Sequence, residues 1–118
     1  MTRTILVVED EITVALALKD LSKSHCALPC EVKIFDSLDA LAKHGLRGDL
    51  LICDLCLPDS DSAQTREYLL QHQDSIRIIC HSADVEQGRL LGAASGGRVK
   101  FVEKGGDLDE IELTLSTL

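Results

Sequence analysis

The stretch Asp49-Leu50-Leu51-Ile52-Cys53-Asp54-Leu55-Cys56-Leu57-Pro58-Asp59-Ser60-Asp61 decides how the chain folds. Leu50 to Cys53 is apolar with no polar alternation, the pattern of a strand covered on both faces, as in a parallel sheet. The run stops at a carboxylate, Asp54, and Pro58 with the Asp59-Ser60-Asp61 cluster marks a loop. Asp54 is therefore expected at the carboxyl end of a central strand, the end at which open α/β sheets bind ligands. Taken alone, the stretch fits equally well an Asp54 that simply leaves the strand for solvent. The other segments have to decide.

Thr4 to Val8 is a second continuous apolar run, and it too ends in acids, Glu9-Asp10-Glu11. Helical spacing follows, with Ile12, Ala15 or Leu16, Leu18 and Leu21 recurring through Lys23. Acids beside a helix start complement its dipole, but three in a row exceed that need. Glu31 to Phe35 alternates and reads as a half-exposed strand toward an edge. Asp36 or Ser37 caps a helix from Leu38 to about His44, and Gly45 stops it. Asp61 or Ser62 caps another through about Gln73. Ile76 to Cys80 is the fourth strand, followed by His81-Ser82-Ala83-Asp84 and a helix over Val85 to Ala94. Val99 to Val102 is the fifth, ending in Glu103-Lys104-Gly105-Gly106. Asp107 or Asp109 opens a last helix carrying Leu108, Ile111, Leu113 and Leu115. This β-α alternation, five times over, calls for a parallel sheet with helices on both faces and right-handed crossovers. The expected fold is a doubly wound, flavodoxin-like (βα)5 sheet of strand order 2-1-3-4-5, one domain over residues 1–118.

Composition narrows the function. The chain has 118 residues, 45% hydrophobic and 3% aromatic, so its core must be aliphatic. Twelve basic residues face 20 acidic ones, a net charge of −8, which argues against binding to nucleic-acid phosphates. No apolar run is long enough to span a bilayer, and residues 1–15 lack the features of a signal peptide. A cytoplasmic location away from membranes is expected. The five cysteines, odd in number and irregularly spaced, do not resemble a disulfide framework. Cys53-Asp54-Leu55-Cys56 matches CxxC, but its first cysteine lies in an apolar strand and no second pair follows, as a zinc site would need. Cys53 and Cys80 read better as small buried hydrophobes.

With that strand order, the carboxyl ends gather Glu9 and Asp10 from the first strand, Asp54 from the third, Ser82 from the fourth and Lys104 from the fifth, at the switch point between strands one and three. Clustered carboxylates repel unless a cation holds them, and hard oxygen donors without His or Cys suit Mg²⁺. A lysine and a hydroxyl beside them are donors for an anion. Around one carboxylate, such a set suits phosphoryl transfer, with Asp54 as nucleophile and the others neutralising charge on the transferred oxygens.

On these residues the sequence resembles the receiver domain of two-component response regulators, over essentially its whole length. Val7-Val8-Glu9-Asp10-Glu11 resembles the family's acidic pair and following acid, and Asp54-Leu55-Cys56-Leu57-Pro58 its phosphoacceptor motif. Ser82-Ala83 resembles its hydroxyl-plus-small-residue step, and Phe101-Val102-Glu103-Lys104 its switch aromatic and lysine. The resemblance implies that Asp54 accepts a phosphoryl group from the phosphohistidine of a histidine kinase or phosphotransfer protein. It implies that Asp10, Asp54 and the carbonyl of Cys56 bind Mg²⁺, with Glu9 helping through water. Ser82 and Lys104 would contact the phosphoryl oxygens, Ala83 would leave room for them, and Ser82 and Phe101 would form the switch, with Phe101 rotating inward. The partners implied are the phosphate donor and a downstream protein or an output domain. Two departures stand out. The family's Pro after the lysine, often cis, is replaced by Gly105-Gly106, so a cis bond is not expected and Lys104 should sit on a looser loop. The usual Gly after the acceptor loop is Ser62.

Two other readings compete. An aspartyl-nucleophile hydrolase on a similar fold would need a second acid where Cys56 stands, and a substrate cap. A degenerate receiver, a binding scaffold that is never phosphorylated, is disfavoured by Asp54, Ser82 and Lys104 together. The expectation is thus a switch module rather than an enzyme. Its last helix is acidic through Asp107, Asp109, Glu110 and Glu112. Only Arg89, Arg98, Lys100 and Lys104 are near enough to answer those acids, so a monomer is expected without phosphate.

Overall fold

The structure, a computed structural model, describes residues 1–118. The elements alternate as β1 (Arg3–Val8), α1 (Ile12–His25), β2 (Cys30–Phe35), α2 (Leu38–His44), β3 (Leu50–Cys53), α3 (Ser62–Gln71), β4 (Arg77–Ser82), α4 (Val85–Ala94), β5 (Lys100–Glu103) and α5 (Asp109–Ser116). The five strands form one parallel sheet in the order β2-β1-β3-β4-β5. The expected flavodoxin-like topology is the one observed, and no helix is long and apolar enough to cross a membrane.

Strand periodicity sorts the core into two layers. Leu6, Val8, Leu51, Cys53, Ile78 and Cys80 face one way and pack with Leu41 of α2, Leu69 of α3 and Leu91 of α4. Ile5, Val7, Leu50, Ile52, Ile79 and Val102 face the other way and pack with Ala15 and Leu18 of α1 and Ile111 and Leu115 of α5. Successive residues of a strand point to opposite faces. A strand covered on both sides must therefore be apolar throughout, as β3 is. At the edge, β2 is only half-buried apart from exposed Glu31.

Local signals held at most boundaries and failed at a few. Ser37 caps α2 by accepting from the Ala40 N–H, and Asp61 caps α3 in a reciprocal capping box with Gln64. Asp109 opens α5 as its first residue, as expected, but no side chain caps that helix. Leu108 occupies the cap position, and Asp107 accepts from the Asp109 N–H at 2.6 Å. Helix α3 ends at Gln71, before Gln73, and β4 runs on to Ser82, which is thus a strand residue. Of the apolar residues assigned to helix stripes, Ile12 and Leu113 are 63% and 60% exposed, and Ala15 rather than Leu16 faces the sheet.

The central strand should carry much of the stability. Leu51 has no exposed surface, so Leu51→Ala should lower unfolding free energy by about 3 kcal/mol through lost transfer energy and a residual cavity. Urea titration should show a lower midpoint at unchanged slope. A loss below about 1 kcal/mol would mean that the site collapses around the smaller residue.

Candidate functional site

Ladder register brings the polar residues together. Val8 pairs with Cys53, so Glu9 and Asp54 leave adjacent strands at the same level. The ladder continues one step past the strands: the Asp54 N–H donates to the Val8 carbonyl at 2.9 Å, and the Glu9 N–H to the Phe35 carbonyl at 2.9 Å. On the other side Ser82 pairs with Glu103, and the next residue, Lys104, donates its N–H to the Ser82 carbonyl at 3.0 Å. Side-chain flexibility is not needed to assemble the cluster.

The Lys104 ammonium is the hub. Its Nζ donates to Asp54 Oδ2 at 2.6 Å and lies 2.8 Å from Glu9 Oε1 and 3.6 Å from Glu11 Oε1. Asp54 and Glu9 are only 3% and 2% exposed. The Cys56 N–H donates to Asp54 Oδ1 at 3.1 Å, so both carboxylate oxygens are held. Glu9 Oε2 accepts from the Glu11 N–H at 3.3 Å, and Oε1 is paired with the Lys104 ammonium. Carboxylate oxygens of Glu9, Asp10 and Asp54 lie within 4.8 Å of one another, with Asp10 exposed and the other two buried.

The electrostatics follow from this crowding. Burial raises the Glu9 carboxyl above its ordinary value of 4.5; Lys104 pulls it down, and Asp54 pushes it up. Burial lowers the Lys104 ammonium, but its bonds to Asp54 and Glu9 outweigh that and leave it raised. One lysine faces four acids, so the site is short of positive charge. An all-oxygen donor set with an excess of negative charge fits a hard divalent cation such as Mg²⁺.

Ser82 is fully buried and its Oγ accepts from the Asp84 N–H at 3.2 Å. Ala83, beside it, is exposed. Phe101 is half-buried on the α4 side of the sheet, packed against the layer that holds Leu91. All peptide bonds are trans, and Gly105 turns the chain after Lys104 with φ of 81°.

Three further features escaped the sequence reading. Asp59 accepts from the N–H groups of Leu38 and Asp39 at 3.0 and 2.9 Å, tying the loop after Asp54 to the start of α2. Those bonds hold its carboxyl below the usual range. His81 lies on the α1 face with 5% exposure and an unpartnered Nδ1, at the wall of a cleft of about 330 Å³ bounded by Val14, Leu18, Lys104 and Leu108. Gly88 of α4 lies directly beneath Phe101. An acid in a loop, a strand-end histidine and a helical glycine are each commonplace, and only tertiary placement gives them meaning.

A family model for the response regulator receiver domain matches residues 5–116. The chain belongs to the response regulator receiver domain family. Solved structures agree. The signal receiver domain of a LuxO repressor protein from Vibrio parahaemolyticus is 22% identical with a TM-score of 0.75, over 99% of this chain and 89% of that one. The beryllofluoride-activated receiver domain of DrrB, a Thermotoga maritima response regulator, is 18% identical with a TM-score of 0.76, over 99% and 97%. The non-phosphorylated HemR receiver domain from Leptospira biflexa is 25% identical with a TM-score of 0.72, over 98% and 92%. A comparison with curated proteins found no match. Accepting a phosphoryl group is the general function of receiver domains, and the family binds Mg²⁺ at an acidic pocket.

One pH effect follows from the site's flank. Burial, with Lys104, lowers the His81 imidazole below its ordinary 6.5. The unfolded chain therefore takes up a proton near that value that the folded domain resists, and stability falls as pH drops through it. Glu9 acts oppositely: its raised carboxyl favours the folded state at low pH, and that contribution is lost as pH rises through its folded value. His81→Phe keeps the bulk and removes only the first effect. Its melting temperature should gain on the wild type between about pH 7.5 and about pH 5.5. Parallel melting curves across that window would exclude the assignment.

Proposed function

We propose that this receiver domain accepts one phosphoryl group on Asp54 from the phosphohistidine of a histidine kinase or phosphotransfer protein, with Mg²⁺ bound at the acidic cluster. The observation that carries this reading is the Asp54 carboxylate, 3% exposed and held at 2.6 Å by the Lys104 ammonium. A buried carboxylate anchored at both oxygens is pre-oriented, and the Lys104 ammonium, the one cation of the cluster, is placed to neutralise charge on the incoming phosphoryl oxygens. In the transfer, the donor's N–P bond breaks as an Asp54 O–P bond forms. Lys104 then passes from the Asp54 carboxylate to a phosphoryl oxygen, and the Ser82 hydroxyl donates to another.

The residues that would hold the metal are Asp10 and Asp54 with the carbonyl of Cys56, and Glu9 through water. Bound there, Mg²⁺ offsets the excess of carboxylates and the charge of the phosphoryl group. The altered Ser82 and Phe101 region would then present a changed surface to a downstream protein or an output domain, as a population shift between two states. The partner surface is basic or apolar, given the acids of α5, and the unphosphorylated domain is a monomer in the cytoplasm.

Acetyl phosphate with Mg²⁺ should add one phosphoryl group to the protein, read by intact mass. Asp54→Asn should abolish the addition, and Asp10→Ala should lose both Mg²⁺ binding and the addition. Label on the Asn variant, or none on the wild type, would refute the acceptor assignment; none on the wild type would leave the scaffold reading standing. Sedimentation velocity of the untreated protein should show a monomer. A tight dimer built on α5 would contradict the partner argument.

A further inference from the structure

Gly88 is buried in the middle of α4, where glycine is disfavoured relative to alanine because it orders more backbone freedom and buries no side chain. The position has a packing reason. A Cβ built on Gly88 would overlap Cδ1 and Cε1 of Phe101 and lie 2.8 Å from its Cγ. No real side chain approaches a ring that closely, so Phe101 rests directly on the helix backbone. The contact is held from both sides. Phe101 pairs with Cys80 in the sheet, and α4 is pinned by fully buried Leu91 and by the Asp84 cap, whose side chain accepts from the Gln87 N–H at 3.1 Å. The ring occupies this place while Ser82 is turned to the Asp84 N–H and Lys104 is bound to the Asp54 carboxylate.

We infer that Gly88 seats the Phe101 ring in its resting position and so biases the switch toward the unphosphorylated state. The inference rests on the reading of Phe101 as the switch aromatic. Gly88 touches no reacting atom and is a positioning residue. An added methyl at this point displaces the ring from its seat, destabilises the resting arrangement and leaves the alternative arrangement less affected, so the equilibrium shifts by that difference.

The test is a cycle of four proteins: wild type, Gly88→Ala, Phe101→Ala and the double variant. Two readouts are taken, the ¹³C–¹H ring spectrum of phenylalanine-labelled protein and the affinity for beryllofluoride with Mg²⁺. The chain has only two phenylalanines, so Phe35 serves as the internal reference. Gly88→Ala should move the Phe101 ring signals without any phosphoryl mimic, leave those of Phe35 in place, and tighten beryllofluoride binding by about fivefold. In the Phe101→Ala background the same substitution should leave the affinity unchanged. Unmoved ring signals would overturn the seat, and an unchanged or weaker affinity would overturn the bias. An equal effect in both backgrounds would show that alanine acts through the helix and not through the ring. Should Gly88→Ala fail to fold, recovery of folding in the double variant supports the clash, and failure of both variants refutes it. If the wild type itself does not bind beryllofluoride, the phosphoacceptor reading fails, while the ring spectra still decide whether Gly88 is the seat.

Discussion

Two carboxylates that have lost nearly all contact with water, Glu9 and Asp54, share one ammonium group, and the architecture around them serves to keep that arrangement intact. Taking an ion from water into a protein interior costs several kcal/mol even after relaxation, so such groups persist only where a counter-charge and hydrogen bonds are supplied at fixed positions. Here the supply comes from three strands. Glu9 and Asp54 are placed by the β1–β3 register, and Lys104 by the hydrogen bond from its own N–H to the Ser82 carbonyl. A one-residue slip between β1 and β3 would turn a carboxylate into the apolar layer lined by Leu51 and Cys53. The uninterrupted apolar runs that specify burial on both faces are therefore also what align the site.

The same arithmetic bears on the loop after Lys104. Two glycines in place of a proline suggest slack, and each costs on the order of 1 kcal/mol in backbone freedom. Breaking a buried ion pair costs about 3–5 kcal/mol. Lys104 is 15% exposed at its side chain and bound to two buried acids, so its contacts outweigh the freedom of the glycines that follow. The lysine is anchored, and any slack begins at Gly105, whose φ of 81° few other residues would adopt.

Much of this was legible in the sequence because it depends on short-range patterns. Two apolar runs ending in acids, a third ending beside a hydroxyl and a fourth ending in lysine placed the strands along the chain, and the β-α alternation set the fold class. What could not be read depends on distances between segments far apart in the chain. The chain after Cys80 looks like a loop because His81 and Ser82 are polar, yet both belong to β4, where pairing with Val102 and Glu103 satisfies their backbone. Asp59 looks like turn punctuation until α2 is placed within 3.0 Å of it. Gly88 looks like a weak point in a helix until the ring of Phe101 is set against it.

Strand alternation gives the last step. On β4, Cys80 and Ser82 face the α4 layer and His81 faces α1, while on β5 Phe101 faces α4 and Val102 faces α1. Ser82 therefore lies on the same side of the sheet as Phe101 and adjoins the acidic site at its own strand end. A residue one position earlier or later on β4 would face the other layer. His81, one position earlier, is turned instead toward the cleft beside α1. On the α4 side Phe101 meets bare backbone at Gly88. On the α1 side His81 is buried, and its imidazole is lowered by that burial and by Lys104 against the opposing pull of Asp54.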